Sequence, residues 1–336
     1  MVKNLQRVPL LGIVMVALGC DNVEWGGVDM RLRSPLEPTI METPAPPADT
    51  TATPVTPKPS EPVLYLGRRV GSEAWLVPVA EMHADGLHAL PGDGSAQDSR
   101  AFAERHFAGA STFTLFSEGV RVGTLTAAEY SAVASYCGAR PQVRGPIELV
   151  PNAAAATTFL ALSSDVGALF AYEDHETVVQ TRDLRVVSLN MMRALLPTLR
   201  ATWPESVLAI RRDIQMFRNG SEEAPTVVAT FVYGDSLQVG PAPPDAYSVF
   251  LIASDPDGSG YQTTYVDYRV WSQHGKGAAR YFGRMDVDGD GTPELILEVL
   301  GESSIWIATL KREDVGWSES FRDSCGLPVP VATRAP

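Results

Sequence analysis

Residues 286–294 read Asp-Val-Asp-Gly-Asp-Gly-Thr-Pro-Glu, and residues 295–300 continue as Leu-Ile-Leu-Glu-Val-Leu. Four carboxylates therefore lie within nine residues, directly before an apolar segment. Aspartates at alternate positions can turn three short carboxylates toward one point, and Gly291 follows where such a loop must turn, because glycine adopts positive φ without steric cost. Carboxylates this close repel one another unless a cation lies among them. The stretch predicts a cation-binding loop that leads into a buried strand.

The donor chemistry of this loop favours calcium, which takes six to eight oxygen ligands from carboxylates, carbonyls and water. The predicted ligands are Asp286, Asp288, Asp290, the backbone carbonyl of Thr292, and Glu294 directly or through water. An EF-hand would need a bidentate glutamate at loop position twelve, which here is Leu297. The alternative is a solvated acidic turn that binds no metal.

The loop resembles the calcium loop of FG-GAP and VCBS-type repeats, in which Asp-x-Asp-x-Asp-Gly-x-x-Asp/Glu precedes a buried strand. Asp286, Asp288, Asp290 and Glu294 carry this resemblance, which is local and implies a calcium site rather than a whole fold. One partial copy of the loop occurs upstream, with its ligand positions at Asp255, Asp257 and Ser259, and Thr263 in place of the closing glutamate. It is either a weak second metal loop or an ordinary hairpin turn.

The amino-terminal segment, residues 1–19, has the pattern of a secretory signal peptide. Lys3 and Arg7 precede an apolar run from Leu10 to Leu18, which is far shorter than the ~20 residues that a membrane-spanning helix needs. The segment ends Ala-Leu-Gly-Cys20, which resembles the lipobox of bacterial lipoproteins, although leucine is more usual at the first of these positions. The resemblance implies acylation of Cys20, palmitate included, and attachment to the membrane of the bacterial cell envelope, facing the periplasm or the exterior. The alternative is an ordinary signal with a chance cysteine.

Residues 20–62 read as a tether, with nine prolines between Ser34 and Pro62. Few groups in it can be buried, and proline favours extended polyproline II at ~3.1 Å per residue. Beyond it we expect a β-rich region with short helices at 63–190, a β domain with the calcium loop at 191–326, and a disordered tail at 327–336. The predicted role of the tether is to hold these regions away from the membrane.

The fold class expected from the remaining pattern is mainly β with a few short helices (α+β), in antiparallel sheets that form a sandwich or an irregular propeller-like array. Two helices are predicted: one from Thr126 to Tyr136, with Thr126 and Glu129 as a capping box, and one from about Asn190 to Ala201, interrupted by Pro197. The strands predicted in the carboxyl-terminal half are Thr226–Tyr233, Tyr247–Ala253, Gln262–Trp271, Ala279–Arg284, Glu294–Leu300, Ser304–Lys311 and Gly316–Phe321.

Charge and cysteine content restrict the function further. The formal net charge is −13 and no Lys/Arg cluster is present, which argues against nucleic acid as a partner. If Cys20 carries a lipid, Cys137 and Cys325 remain as a pair in an oxidising compartment, either as a disulfide or as two unpaired thiols.

Motifs for catalysis are lacking: the chain has no His-Glu-x-x-His, no Gly-x-Ser-x-Gly, no phosphate loop and no dinucleotide fingerprint. We therefore expect an exported lipoprotein whose β-rich domain is stabilised by calcium and acts as a binding or structural module, with a protein or glycan partner. The alternative is an exported hydrolase of glycans or phosphoesters, with a site near Asp255, Asp257 and His274. Whether the protein is an enzyme stays open. A carbohydrate site would need exposed aromatic rings, whereas most tryptophans lie in predicted strands and would pack in the core.

Overall fold

The computed structural model describes residues 61–92, 94–107, 111–117, 120–133, 140–167, 178–218, 224–323 and 325–328, all within the compact unit Lys58–Pro336. The predicted signal peptide, Cys20, nearly all of the tether and Cys137 lie outside the described residues. Within the described ranges, no helix combines the length and apolar character needed to cross a bilayer.

The first sheet takes up the amino-terminal part of the domain and contains eight antiparallel strands. They are β1 (Val63–Val70), β2 (Glu73–His83), β3 (Gly86–Ala89), β4 (Thr112–Ser117), β5 (Val120–Thr126), β6 (Glu129–Val133), β7 (Arg140–Leu149) and β8 (Thr158–Ser163), in the order β3-β2-β1-β8-β4-β5-β7-β6. One edge of β2 pairs with β3 along one half and with β7 along the other. Two helices, α1 (Ala96–His106) and α2 (Ser164–Gly167), and a 3-10 turn (Pro151–Ala153) connect these strands.

Two smaller antiparallel sheets follow, and each is built mainly from strands consecutive in the chain. The second sheet has the order β12-β11-β10-β9, and the third has the order β13-β14-β15-β16 with β17 paired to β15. Their strands are β9 (Arg211–Phe217), β10 (Thr226–Tyr233), β11 (Tyr247–Ser254), β12 (Gln262–Val270), β13 (Ala278–Met285), β14 (Glu294–Leu300), β15 (Ser304–Glu313), β16 (Gly316–Arg322) and β17 (Leu327–Pro328). The helices of this part are α3 (Arg182–Leu199), α4 (Val207–Ile210) and α5 (Trp271–His274).

The layers stack in the order α3, second sheet, third sheet, first sheet. Helix α3 places Leu189, Met192 and Leu196 against one face of the second sheet, a spacing of three and four residues that aligns side chains on one helix face. The other face of the second sheet packs on the third sheet in a cluster that includes Phe250 and Leu297. The opposite face of the third sheet packs on the first sheet.

Strand β14 lies at the centre of this stack, and all seven of its residues are buried. Successive side chains alternate between the two faces of a strand, so Leu295 and Leu297 face the second sheet while Ile296 faces the first. A strand covered on both faces reads as a continuous apolar run, which explains the composition of residues 295–300. The loop at residues 286–293 is therefore attached to one of the most enclosed strands of the domain.

The predicted fold class is confirmed: the structure is mainly β, with antiparallel sheets and few helices. The second and third sheets pack face to face, which is the sandwich alternative. All seven strands predicted after Thr226 are present, with bounds that differ by no more than two residues at either end.

The predicted helix at Thr126–Tyr136 is wrong over its described part. Thr126 ends β5, where it pairs with Thr112, and Glu129 begins β6, where it pairs with Arg144. The local capping pattern was outweighed by pairing with strands that lie close in space, since hydrogen bonds to β7 satisfy the same backbone groups that a helix would. Residues 134–136 of the prediction lie outside the described residues.

The second predicted helix exists as α3 and begins eight residues earlier than expected, at Arg182. Pro197 does not interrupt it, because a proline in the last turn removes only one intrahelical hydrogen bond and the helix ends two residues later at Leu199. The predicted boundary between residues 190 and 191 falls within this helix. At the carboxyl terminus, Leu327 and Pro328 pair with β15, so strand structure extends two residues into the predicted tail.

Candidate metal centre

The loop between β13 and β14 is held in shape by its own aspartates. Asp286 accepts the N–H groups of Gly289 at 2.7 Å and Gly291 at 2.9 Å through its two carboxylate oxygens. Asp288 and Asp290 each accept the N–H two residues ahead, at 3.1 and 2.7 Å. Gly289 and Gly291 have φ of 77° and 87°, a left-handed conformation that strains other residues. The alternation of aspartate and glycine thus specifies the turn itself.

Two contacts tie this loop to the interior of the protein. Val287 is buried and packs with Met285 and Ile296 in the cluster between the third and first sheets. Its N–H donates to Oε2 of Glu294 at 3.0 Å, so the first residue of β14 closes the loop across its base. Val287 thus anchors the loop in the core cluster, while the carboxylates of its neighbours Asp286 and Asp288 approach one another.

Three of the predicted ligands converge. Asp286, Asp288 and Glu294 each offer a carboxylate oxygen, and these oxygens lie within 4.8 Å of one another. Oxygens bound to one Ca²⁺ at 2.3–2.6 Å can be no more than about 5 Å apart, so this spacing suits a shared calcium ion. In the part of the chain that the structure describes, this is the one such group of acidic, histidine or cysteine side chains.

Asp290 and Thr292, the other two predicted ligands, lie on the solvent side of the loop. Asp290 accepts the N–H of Thr292 through Oδ1, while Oδ2 lies 3.0 Å from the ammonium of Lys311. The converging group therefore contains Asp286, Asp288 and Glu294 without Asp290. The carbonyl of Thr292 stays a predicted ligand.

Lys311 contacts the candidate site, and the sequence pattern did not predict it. It lies on β15, and its ammonium contacts Asp288 Oδ2 at 2.5 Å as well as Asp290. Hydrogen bonds to these two carboxylates raise the pKa of Lys311, and the same contact lowers the pKa of Asp290. The ammonium of Lys311 therefore places a positive charge beside the carboxylates of the acidic loop. The signal for it was the pairing of β14 with β15, since Leu310 lies opposite Leu295.

Glu294 is a buried carboxylic acid, with 2% of the residue exposed. Burial raises the pKa of Glu294 to about 7, the N–H of Val287 opposes that rise, and the negative charge of Asp288 adds to it. A carboxylic acid with this pKa is partly protonated at neutral pH. It ionises fully when a cation offsets the cost of a buried charge.

The chain matches no family model, no curated protein and no solved structure. Function is therefore inferred from the geometry of the site and from the sequence pattern.

The partial copy of the loop joins β11 to β12 and has the same backbone plan. Gly260 donates its N–H to Asp255 and Ser259 donates to Asp257, both at 3.0 Å, which matches the contacts of Gly291 with Asp286 and of Asp290 with Asp288. Gly258 and Gly260 have positive φ, like Gly289 and Gly291. No third carboxylate joins Asp255 and Asp257 in a ligand group among the described residues. The two loops therefore have the same type of turn, and only the loop at residues 286–294 also has the buried glutamate, Glu294.

The residues named for a hydrolase are not assembled into one site. Asp257 precedes β12, whereas His274 follows it at the end of α5. Nine strand residues separate them, a distance of roughly 30 Å at ~3.3 Å per residue. Asp255 and Asp257 use carboxylate oxygens to accept N–H groups of their own turn.

Cys325 is a disulfide cysteine and packs against the cluster between the first and third sheets. Its predicted partner Cys137 lies outside the described residues, as does the predicted lipidation site Cys20. The pairing and the lipid anchor stay predictions.

Proposed function

We propose that this protein is a lipid-anchored protein of the bacterial cell envelope whose β-rich domain binds one Ca²⁺ at the loop 286–294 and uses it as a structural clip. The observation that carries the proposal is the convergence of Asp286, Asp288 and Glu294 at the entrance to the buried strand β14. Cys20 and the tether supply the anchor and the spacing in this proposal.

The donor set suits a hard divalent cation. With all four carboxylates ionised, the loop and Lys311 together carry a net charge of −3. One ammonium therefore leaves most of the charge unbalanced. Asp286, Asp288 and Glu294 would hold the ion, and Asp290 and the carbonyl of Thr292 would add oxygens once Lys311 releases Asp288 and Asp290. Lys311 acts as a stand-in cation that keeps the loop folded without metal.

The proposed consequence of binding is mechanical. The loop spans β13 and β14, and β14 is covered by the second sheet on one face and the first sheet on the other. Fixing Glu294 and Val287 therefore holds the start of a strand on which two interlayer cores depend. Extracellular modules bind Ca²⁺ with dissociation constants of about 10⁻⁴ to 10⁻³ M, so an exported site of this class would be filled outside the cell.

The test is thermal unfolding of the purified protein in EDTA and in 10 mM CaCl₂. At 100 times the dissociation constant, binding to the native state alone stabilises it by about 2.7 kcal/mol, which corresponds to a rise in Tm of roughly 5 °C. Asp288→Ala should abolish the rise. Asp257→Ala is the matched control, because Asp257 has the same turn contact in the loop without a closing glutamate. Equal Tm values for the wild type in EDTA and calcium would refute the metal site.

A further inference from the structure

An exposed aromatic cleft lies beside the carboxyl-terminal end of α3, formed by residues that the calcium loop does not involve. Of the five tryptophans that the structure describes, Trp203 is the one whose side chain is largely exposed, at 56%. It lines a cleft of about 500 Å³ together with Tyr233, Pro243, Pro244, Glu205 and Asp245. This volume falls in the range of small-molecule sites in proteins.

The backbone that carries Trp203 is fixed on both sides. Arg200 caps the carboxyl-terminal end of α3 with φ 54°, and it is the one non-glycine residue with positive φ among those described. Ala201 is buried directly after it, and Val207 is buried at the start of α4. Between these anchors, the hydroxyl of Tyr247 donates to the carbonyl oxygen of Thr202 at 2.7 Å. Arg200 is the C-cap of α3, and its N–H donates to the carbonyl oxygens of Leu196 and Pro197, so the end of a helix sets the position of Trp203.

The opposite wall of the cleft is also rigid. Tyr233 stacks on Tyr247 with ring centroids 5.0 Å apart and an interplanar angle of 14°, so one of its faces is covered. Pro243 and Pro244 have fixed φ angles and little freedom to collapse into the space. Gly234 lets the chain pass close to Ala246, since a Cβ there would lie 3.3 Å from it. The cleft is therefore preformed.

The lining specifies the chemistry of a ligand. The indole of Trp203 offers a flat apolar face, and the exposed carboxylates of Glu205 and Asp245 offer only hydrogen-bond acceptors. Among the described residues that line the cleft there is no lysine or arginine, so an anionic ligand would meet the negative charges of Glu205 and Asp245. A purely apolar ligand would remove water from both carboxylates without replacing their hydrogen bonds. A sugar ring suits both the indole and the carboxylates. Its C–H face stacks on an aromatic ring, and its hydroxyl groups donate hydrogen bonds to carboxylates.

We propose that the cleft between Trp203 and Tyr233 binds a neutral carbohydrate, with Trp203 as the stacking platform and Glu205 and Asp245 as hydroxyl acceptors. A quaternary ammonium fits less well, since such cations are held by several converging aromatic faces and Tyr233 already has one face on Tyr247. The site is independent of the calcium loop, which lies on the third sheet.

The experiment is isothermal titration of the full chain with hexasaccharides of glucose, xylose and N-acetylglucosamine, and with choline as the cationic comparison. We expect at least one hexasaccharide to bind, and Trp203→Ala to weaken it by about tenfold or more, since loss of a stacking partner removes on the order of 1.4 kcal/mol. Leu208→Ala is the matched control, because Leu208 is 54% exposed five residues away, outside the cleft. It should leave affinity unchanged.

Three results would overturn the proposal: no binding of any hexasaccharide at millimolar concentration, binding that Trp203→Ala leaves intact, or binding of choline alone. Circular dichroism of each variant checks that the fold is retained. As a second route, Glu205→Gln with Asp245→Asn keeps the aromatic wall and should weaken sugar binding by removing two charged acceptors. Retained affinity in that double variant would contradict the assigned role of the carboxylates.

Discussion

The ammonium of Lys311 lies 2.5 Å from Oδ2 of Asp288, a carboxylate whose side chain is only 1% exposed. This pair joins β15 to the acidic loop, and the same ammonium reaches Asp290. In the proposed calcium site, the ion and the lysine need the same carboxylates. In the absence of metal, Lys311 would therefore stabilise the loop. In the presence of calcium, it would compete with the ion for the carboxylates of Asp288 and Asp290.

Replacing Lys311 with methionine should strengthen calcium binding, because the carboxylates lose an internal competitor and a like charge near the ion. We expect the dissociation constant to fall by about tenfold, as measured by calorimetry. In EDTA the same variant should melt at a lower temperature than the wild type, since the aspartates are left without a counter-charge.

Arg312→Gln is the control for this change, since it removes one positive charge from the adjacent position of the same strand. Arg312→Gln should change the calcium dissociation constant and the melting temperature in EDTA much less than Lys311→Met does. An unchanged or weaker calcium affinity in Lys311→Met would contradict the competition.

Glu294 should make the metal-free protein less stable as pH rises. Burial raises the pKa of its carboxyl group from 4.5 to about 7, so the folded state holds a proton that the unfolded state has lost between these values. The free energy of unfolding then falls with rising pH across that window, by up to roughly 3 kcal/mol, and levels off above pH 7.

Glu294→Gln removes this proton exchange, so urea unfolding in EDTA at pH 5, 6, 7 and 8 should give a difference in stability between variant and wild type that grows up to about pH 7 and then levels off. Calcium affinity of the wild type should rise over the same interval, because the ligand must be ionised. Parallel stability curves for the two proteins would argue against the assigned pKa.

Cysteine pairing has a direct test. We expect Cys137 and Cys325 to form one disulfide, and non-reducing peptide mapping by mass spectrometry should find the linked pair. Cys325→Ser should lower stability by roughly 4–5 kcal/mol in the chain-entropy model, because the bond closes a long loop in the unfolded chain. Cys137→Ser should have the same effect, and the double variant no more than either alone. Two free thiols in the non-reduced protein would refute the pairing.

The lipid anchor can be tested in cells. Expressed in a bacterium, the wild type should partition with the membrane fraction and incorporate labelled fatty acid. Cys20→Ser should incorporate no label, because serine lacks the thiol to which the lipid would be attached. A label that persists in Cys20→Ser would place the modification elsewhere.

Sequence patterns succeeded where local chemistry and burial agree. Residues 294–300 read as a buried strand because five of the seven are apolar, and the structure buries all seven. The turn at 286–291 was also readable, since each aspartate binds an N–H a few residues ahead and each glycine takes positive φ. The pattern misled at Thr126 and Glu129, where a capping box lies in strands whose partners are distant in sequence.

By itself the sequence determined the mainly β class and the acidic turn, because these depend on residues close together in the chain, and it named the candidate oxygen donors. The tertiary structure decided which donors converge. It brought Glu294 beside Asp286 and Asp288, turned Asp290 toward Lys311, and set Trp203 opposite Tyr233. Strand pairing places Lys311 and layer packing places Tyr233, and such contacts join residues far apart in the chain and leave no periodic signal in it.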